Sequence, residues 1–228
     1  MKVAEIYLSI QGEGSLTGAQ SVFVRASGCN LRCWFCDTPF ASWSPEGEDL
    51  SLGEILDEIE THHCDHVVLT GGEPMLFAEL VPLTAELRQR GMHVTIETAG
   101  TLHLPVQCDL MSISPKLAGS APAQRRQPRW HRRHHETRHA PHVIRRLIGD
   151  YEYQLKFVID RPADCHEVER YLTEFPEIDR SRVWLMPQGT EADELLERAK
   201  WLKPHCQKTG LRYCPRRQIE WFGLVRGT

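Results

Sequence analysis

Three cysteines, Cys29, Cys33 and Cys36, stand within the stretch GCNLRCWFCDTPF, spaced C-x3-C-x2-C, with Phe35 directly before the third. Thiolates so placed can hold a soft metal, but a closed structural zinc site takes four ligands, usually as two separated pairs. The other five cysteines, Cys64, Cys108, Cys165, Cys206 and Cys214, show no partner spacing. Two chemistries fit the remaining pattern. One is a cubane of four irons, in which three thiolates leave one iron open to a ligand that is not protein. The other is a zinc knuckle that borrows a histidine, for which His62-His63-Cys64-Asp65-His66 offers candidates.

The segments around the cysteines read as strands alternating with helices. SVFVR (residues 21–25) leads into the cysteine loop, and HVVL (66–69) runs into Thr70-Gly71-Gly72-Glu73-Pro74. MHVTIE (92–97), DLMSIS (109–114), QLKFVI (154–159) and RVWLM (182–186) repeat the strand signal. Ser51 and Glu54 form a capping box ahead of Leu52, Ile55, Leu56 and Ile59, whose i, i+3, i+4, i+7 spacing predicts a helix with one apolar face. Further helices are expected before Gly91 and over residues 164–175 and 191–206. Such alternation predicts a parallel sheet with helical crossovers. Six strands are too few for a closed eight-stranded barrel of ~250 residues, so an α/β fold of the incomplete, open TIM-like barrel type is expected. In such sheets reactive groups gather at the carboxyl edge. The cysteine loop, TGGEP, ETAG, SISPK and MPQG all follow predicted strands and are expected to converge.

Composition sets the surroundings. With 228 residues, 41% hydrophobic and 25% charged, the chain suits a single globular domain. A formal net charge of −4 gives no overall pull toward nucleic acid or membrane and favours a small-molecule or protein partner. MKVAEIYLSIQGEG lacks a continuous apolar run, and no stretch approaches the ~18 apolar residues of a spanning helix. A cytoplasmic protein with reduced thiols is expected.

C-x3-C-x-aromatic-C in a strand-to-helix loop, with GGEP after the next strand, resembles the radical S-adenosylmethionine (SAM) superfamily. EIYLSIQGEGSLTG (5–18) narrows the likeness. Together with FVRASGCNLRCWFCDT, TGGEP, ETAG and SPK it is similar to the 7-carboxy-7-deazaguanine synthase family, radical SAM enzymes of the 7-deazapurine pathway that leads to queuosine. These motifs span much of the chain up to Lys116, with weaker likeness at LKFVID, LMPQG and CPRRQIEWFG.

The resemblance implies one 4Fe-4S cluster on Cys29, Cys33 and Cys36, with SAM bound through its open iron. Phe35, Cys36 and Asp37 would contact the adenine side of SAM, and Gly71, Gly72 and Glu73 its methionine amino group, the glycines letting backbone approach the ligand. Glu97, Ser114, Pro115, Lys116 and Gln188 would contact its ribose and carboxylate. The implied substrate, 6-carboxy-5,6,7,8-tetrahydropterin, would meet Ile10, Gln11, Gly12, Glu13, Arg25 and Thr70, with Arg25 holding its carboxylate. Mg2+ on Thr38 would assist ring contraction to 7-carboxy-7-deazaguanine with loss of ammonia, after hydrogen abstraction from C6. An external one-electron donor of the flavodoxin or ferredoxin type and a homodimer are also implied.

Plainer readings stand beside these. Arg25 suits a salt bridge, Glu13 a solvated loop charge, and Thr38 a helix N-cap. Two other classes share part of the pattern: a radical SAM activase for a glycyl radical enzyme needs the cysteines and GGEP but not IQGEG or CDT, and a zinc-binding module needs no catalysis. Residues 117–148, crowded with Arg and His, are expected to form a solvated, mobile insertion near the rim of the site, or else a positively charged lid or dimer contact that attracts an anionic substrate or an acidic electron donor. Trp130 alone offers too little stacking surface for nucleic acid. Arg216 and Gln218 lie where the resemblance lets the C-terminal segment approach substrate, and no role is assigned to them.

Overall fold

A computed structural model describes residues 1–228. Its nine strands form one sheet, in the order β3-β1-β2-β4-β5-β6-β7-β8-β9. In chain order the elements are β1 (Lys2–Ile10), β2 (Gln20–Ala26), α1 (Pro39–Ser42), β3 (Glu48–Asp49), α2 (Leu52–Thr61), β4 (His66–Gly71), α3 (Leu80–Gln89), β5 (His93–Thr98) and β6 (Leu110–Ile113). After them come α4 (Pro128–Thr137), α5 (Pro141–Asp150), β7 (Tyr153–Ile159), α6 (Pro162–Glu174), β8 (Val183–Pro187), α7 (Ala192–Thr209), β9 (Arg212–Tyr213) and α8 (Arg217–Phe222).

The six strands expected from sequence are β2 and β4 to β8, and each pairs in parallel with its neighbour. Two short edges, β3 and β9, escape the sequence reading, and so does β1, which runs antiparallel to β2. Helix α2 carries its capping box as expected: Ser51 Oγ accepts from Glu54 N–H, and Glu54 Oε2 accepts from Ser51 N–H at 2.8 Å. Ile55, Leu56 and Ile59 are buried on its inner face.

Strand alternation divides the sheet into two faces. Val24, Leu69, Ile96, Met111, Leu155 and Leu185 enter the core under the helices. Arg25, Thr70, Glu97, Ser112 and Lys156, one residue on in each strand, line a cavity on the other face. Register aligns this polar row, since Arg25 pairs with Thr70 and Glu97 with Ser112. The terminal strands β3 and β9 do not pair with each other, so the barrel-like sheet is open. C-terminal residues cross the gap: Arg217 N–H donates to Gly12 O at 3.0 Å, and Arg226 Nη2 to Ala4 O at 3.0 Å.

Residues 117–148 depart from the expectation of a solvated insertion. They form α4 and most of α5, and α5 is the crossover between β6 and β7, burying Val143, Ile144 and Leu147 in the main core. Alternating charge and apolar residues in HVIRRLI place the arginines outward and the aliphatic side chains inward. The turn before α4, that helix's outer face and the arginine-bearing side of α5 stay exposed. Leu147→Ala should destabilise the apoprotein by about 2–5 kcal/mol, measured by urea unfolding, because it leaves a cavity beneath the sheet.

Candidate active site

The cysteine loop leaves β2 at its carboxyl end, and Cys29, Cys33 and Cys36 all line one cavity of about 330 Å³. The TGGEP turn after β4 packs directly against this loop. Gly72 N–H donates to Ala26 O at 3.1 Å and Glu73 N–H to Gly28 O at 2.8 Å. A Cβ on Gly72 would lie 2.2 Å from Gly28 O, and one on Gly71, whose φ is +140°, would lie 2.1 Å from Ala26 O. Glycine is therefore required by contact between the two loops' own backbones, which corrects the expectation that ligand approach alone demands it.

Behind the cysteines the loop is held by α4. Arg32 Nη1 donates to Cys29 O and Leu31 O, both at 2.7 Å, and Arg32 N–H donates to Nδ1 of His134 at 3.3 Å. His134 is fully buried, and its Nε2 lies 2.8 Å from Ser120 Oγ, whose own proton goes to Leu117 O at 2.6 Å. Burial, reinforced by His135 and Arg138, holds the imidazole down to about 4 and so keeps it neutral. A neutral ring with its proton on Nε2 satisfies both contacts.

Burial pushes the Cys29 thiol up to about 12 and the Cys33 thiol up to about 11. Without metal these groups are neutral, and metal binding must displace their protons. Three soft donors facing one cavity suit a cluster that keeps an unprotected corner. A zinc knuckle does not fit, because His66 starts β4 while the cysteine loop follows the far end of its neighbour β2, where Ala26 pairs with Gly71. A strand rises roughly 3.3 Å per residue, so the length of β4 separates that histidine from the thiols.

Across the cavity floor runs a chain of charges. Asp37 is ion-paired with Arg216, and Arg216 Nε lies 3.3 Å from Glu13 Oε1. Glu13 Oε2 is 3.1 Å from Lys156 Nζ, which sits 2.7 Å from Glu97 Oε1. Thr70 Oγ1 donates to Glu97 Oε2 at 2.9 Å, and Gln218 Nε2 donates to Glu13 Oε1 at 2.6 Å. Burial alone would raise the Glu13 carboxyl, but Lys156, Arg216 and the Gln218 hydrogen bond hold it down to about 2. Burial opposes the Lys156 charge as well, yet Glu97 and Glu13 hold its pKa above the ordinary lysine value. On the adjoining wall, Arg25 Nε donates to Glu5 at 2.7 Å and its Nη2 to Tyr7 OH at 2.8 Å.

Most expected site residues therefore meet in one place. Ile10, Gln11, Gly12, Glu13, Arg25, Cys29, Cys33, Phe35, Cys36, Asp37, Thr38, Thr70, Gly71, Gly72, Glu97, Ser114 and Lys116 all line the cavity. Thr38 precedes α1, but its hydroxyl makes no capping hydrogen bond, and its near neighbour is Cys36 Sγ at 3.7 Å. Glu13 is no solvated loop charge. Arg25 is in a salt bridge, yet its Nη1 makes no hydrogen bond within the protein and it still faces the cavity.

Three residues fall elsewhere. Glu73 is completely buried, its carboxylate accepting from Met75 N–H, Thr98 Oγ1 and Ala99 N–H, so it ties the β4 turn to the end of β5. Pro115 lines a smaller adjoining cavity. Gln188 is drawn back by its N–H to Ile159 O at 2.8 Å and lies outside the cavity lining. Lys156 goes unnoticed in the sequence reading, as do Glu5 and Tyr7. A lone lysine in the apolar run QLKFVI was the available signal, since a buried cation requires an acidic partner.

An open, mostly parallel sheet with three thiols at its carboxyl edge defines the class, and residues 23–115 match the model of the Radical SAM superfamily. A curated relative from Rhodopirellula baltica, named 7-carboxy-7-deazaguanine synthase, is 46% identical over 99% of this chain and 88% of its own length. One of the same name from Halobacterium salinarum is 42% identical over 96% of this chain and 89% of its own. The chain belongs to the 7-carboxy-7-deazaguanine synthase family. Among solved structures, QueE from Escherichia coli superposes with a TM-score of 0.70 at 22% identity, covering 94% of this chain and 92% of that one. SuiB from Streptococcus suis shares the fold more distantly, with a TM-score of 0.52 at 14% identity over 88% of this chain and 54% of its own.

The acid limb of stability reports on the charge chain. A carboxyl lowered to about 2 by folding contributes stability that is present above its unfolded value and lost as pH falls toward 2. Between about pH 5 and 2, wild-type protein should lose more unfolding free energy than Glu13→Gln, by no more than roughly 3 kcal/mol, in urea titrations at stepped pH.

Proposed function

We propose that this chain converts 6-carboxy-5,6,7,8-tetrahydropterin to 7-carboxy-7-deazaguanine with loss of ammonia. One observation carries the reading: the three thiols open onto the same cavity as Glu13, Glu97 and Arg25, so a radical source and a site for a flat, donor-rich, anionic ring are contiguous. Membership of the family implies a 4Fe-4S cluster and SAM, and sets aside both the glycyl radical activase and the zinc module. When bound, these cofactors supply a 5'-deoxyadenosyl radical able to take hydrogen from the substrate.

The residues of the chain bind, orient and shield. Cys29, Cys33 and Cys36 hold the cluster. Phe35, Asp37, Gly71 and Gly72 border the SAM side, where Lys116, now bonded to Ser114 Oγ at 2.7 Å, offers a cation for its carboxylate. Arg25 turns its free Nη1 to the substrate carboxylate while Glu5 and Tyr7 fix the guanidinium plane. Glu13 and Glu97 accept N–H donors of the pterin. A low pKa keeps Glu13 ionised throughout the working range, and Lys156 between the two carboxylates orients them while staying protonated, which suits it to positioning and not to proton removal. Ile10, Phe23, Ile219 and Leu224 add apolar surface to the cavity lining, against which a flat ring can pack.

Mg2+ belongs to this reading through Thr38. Its hydroxyl, uncommitted to a helix cap and facing the cavity, is an oxygen donor of the kind that Mg2+ takes alongside waters and a substrate carboxylate. A homodimer in the cytoplasm completes the reading. No helix is long and apolar enough to cross a membrane.

Anaerobically reconstituted protein, given reductant, SAM, Mg2+ and the carboxytetrahydropterin, should release the deazaguanine product on chromatography; deoxyadenosine without that product would refute the substrate assignment. Cys33→Ala should abolish the cluster's visible absorption and SAM cleavage while the fold, by circular dichroism, persists. Thr38→Ala should keep its iron content but need at least tenfold more Mg2+ for half-maximal turnover, and an unchanged metal response would return Thr38 to a purely structural place.

A further inference from the structure

The outer face of α4 and the turn before it carry Arg125, Arg126, Arg129, Arg132 and Arg133, all exposed and none ion-paired. Elsewhere arginines are mostly matched: Arg88, Arg138, Arg180, Arg198 and Arg226 each hold a carboxylate. Glu136 is the one acid between Leu117 and Gly149. A chain of net charge −4 thus concentrates unpaired positive charge on one small face.

The arrangement is costly for the helix itself. Arg129 and Arg132, and Arg129 and Arg133, stand at i, i+3 and i, i+4 on the helix, where like charges repel, and Arg129 occupies the first turn, where the helix dipole disfavours cations. An anionic partner would relieve both penalties. Position says which partner. Trp130, on the same helix, stacks on the Arg32 guanidinium at 4.1 Å, and Arg32 hydrogen-bonds the Cys29 carbonyl at 2.7 Å. Trp34, between Cys33 and Phe35, is half exposed, its indole N–H fixed to Gly119 O at 2.9 Å. The basic face therefore adjoins the outer side of the cysteine loop, with an exposed aromatic beside it.

We propose that this arginine face is the docking site for an acidic one-electron carrier, a small flavoprotein or iron–sulfur protein with a carboxylate-rich rim around its redox centre. The inference rests on the radical SAM reading above. Across the docked interface one electron leaves the reduced carrier, which is oxidised, and enters the oxidised cluster, which is reduced; no bond is made. Charge complementarity speeds encounter and sets orientation, so association should fall steeply with salt. The sequence expectation of a basic contact attracting an acidic donor gains particular residues here, and a lid over the substrate is not among them, because the exposed arginines are absent from the cavity lining.

The test uses cluster-loaded full-length protein and an acidic bacterial flavodoxin. Calorimetric titration at low salt should give binding that the triple variant Arg125→Glu, Arg129→Glu, Arg132→Glu weakens at least tenfold, and that 0.3 M NaCl weakens in the wild type. Stopped-flow reduction of the cluster by flavodoxin hydroquinone should slow at least tenfold in the variant, while reduction by dithionite, which needs no docking face, stays within twofold. Unchanged flavodoxin affinity and rate in the variant would overturn the proposal, as would charge-dependent binding of RNA with no effect on flavodoxin. Failure of the substrate reading would show instead as absent product with dithionite, leaving the docking results to be judged independently.

Discussion

The structure depends on alternating charges at the cavity floor, from Asp37 through Arg216, Glu13 and Lys156 to Glu97. Burying any one of these groups alone would be expensive, and an unpaired charge in such a place destabilises strongly. Joined, they satisfy one another and leave one negative charge in excess: three carboxylates against two cations. That surplus faces the cavity. A ring with several N–H groups can share it without disturbing the pairs beneath, so the arrangement that makes the interior tolerable also gives it a preference for donor-rich ligands.

The sheet supplies the spacing for this. Parallel strands in register place Arg25, Thr70, Glu97 and Ser112 side by side, with Lys156 one strand beyond, while the residue before each lies in the core. The cysteine loop and the glycine turn touch backbone to backbone at the same edge, so thiols and carboxylates are fixed by adjoining loops of one scaffold. Rigidity here serves positioning: a radical formed near the thiols must meet one particular hydrogen of the substrate.

Much of this was legible in sequence because it is local. Six of the strands, the capping box of α2, and the convergence of the strand-end loops follow from alternation, spacing and the carboxyl-edge rule, and the thiol triad is written in consecutive residues. β1 was equally legible, since Glu5, Tyr7 and Ser9 alternate with Ile6, Leu8 and Ile10. What resisted reading was pairing between distant segments. Nothing near Glu13 announces that Lys156 and Arg216 will meet it, and Glu73 lies within a binding motif although its carboxylate is spent on Thr98 and Ala99. The Arg/His-rich stretch misled for a different reason: its composition is that of a solvated loop, whereas its periodicity, with Val143, Ile144 and Leu147 on one side, is that of a packed helix.

The long-range ion pairs of the cavity floor have a kinetic corollary. Glu13 meets Lys156 across 143 positions and Arg216 across 203, so these pairs close very long loops and gain nothing until both partners are desolvated together. They are accordingly late to form, after the parallel strands have condensed. Substitutions among them act chiefly on how fast the native state opens and little on how fast it is reached, which makes this corner a latch on the lifetime of the folded enzyme.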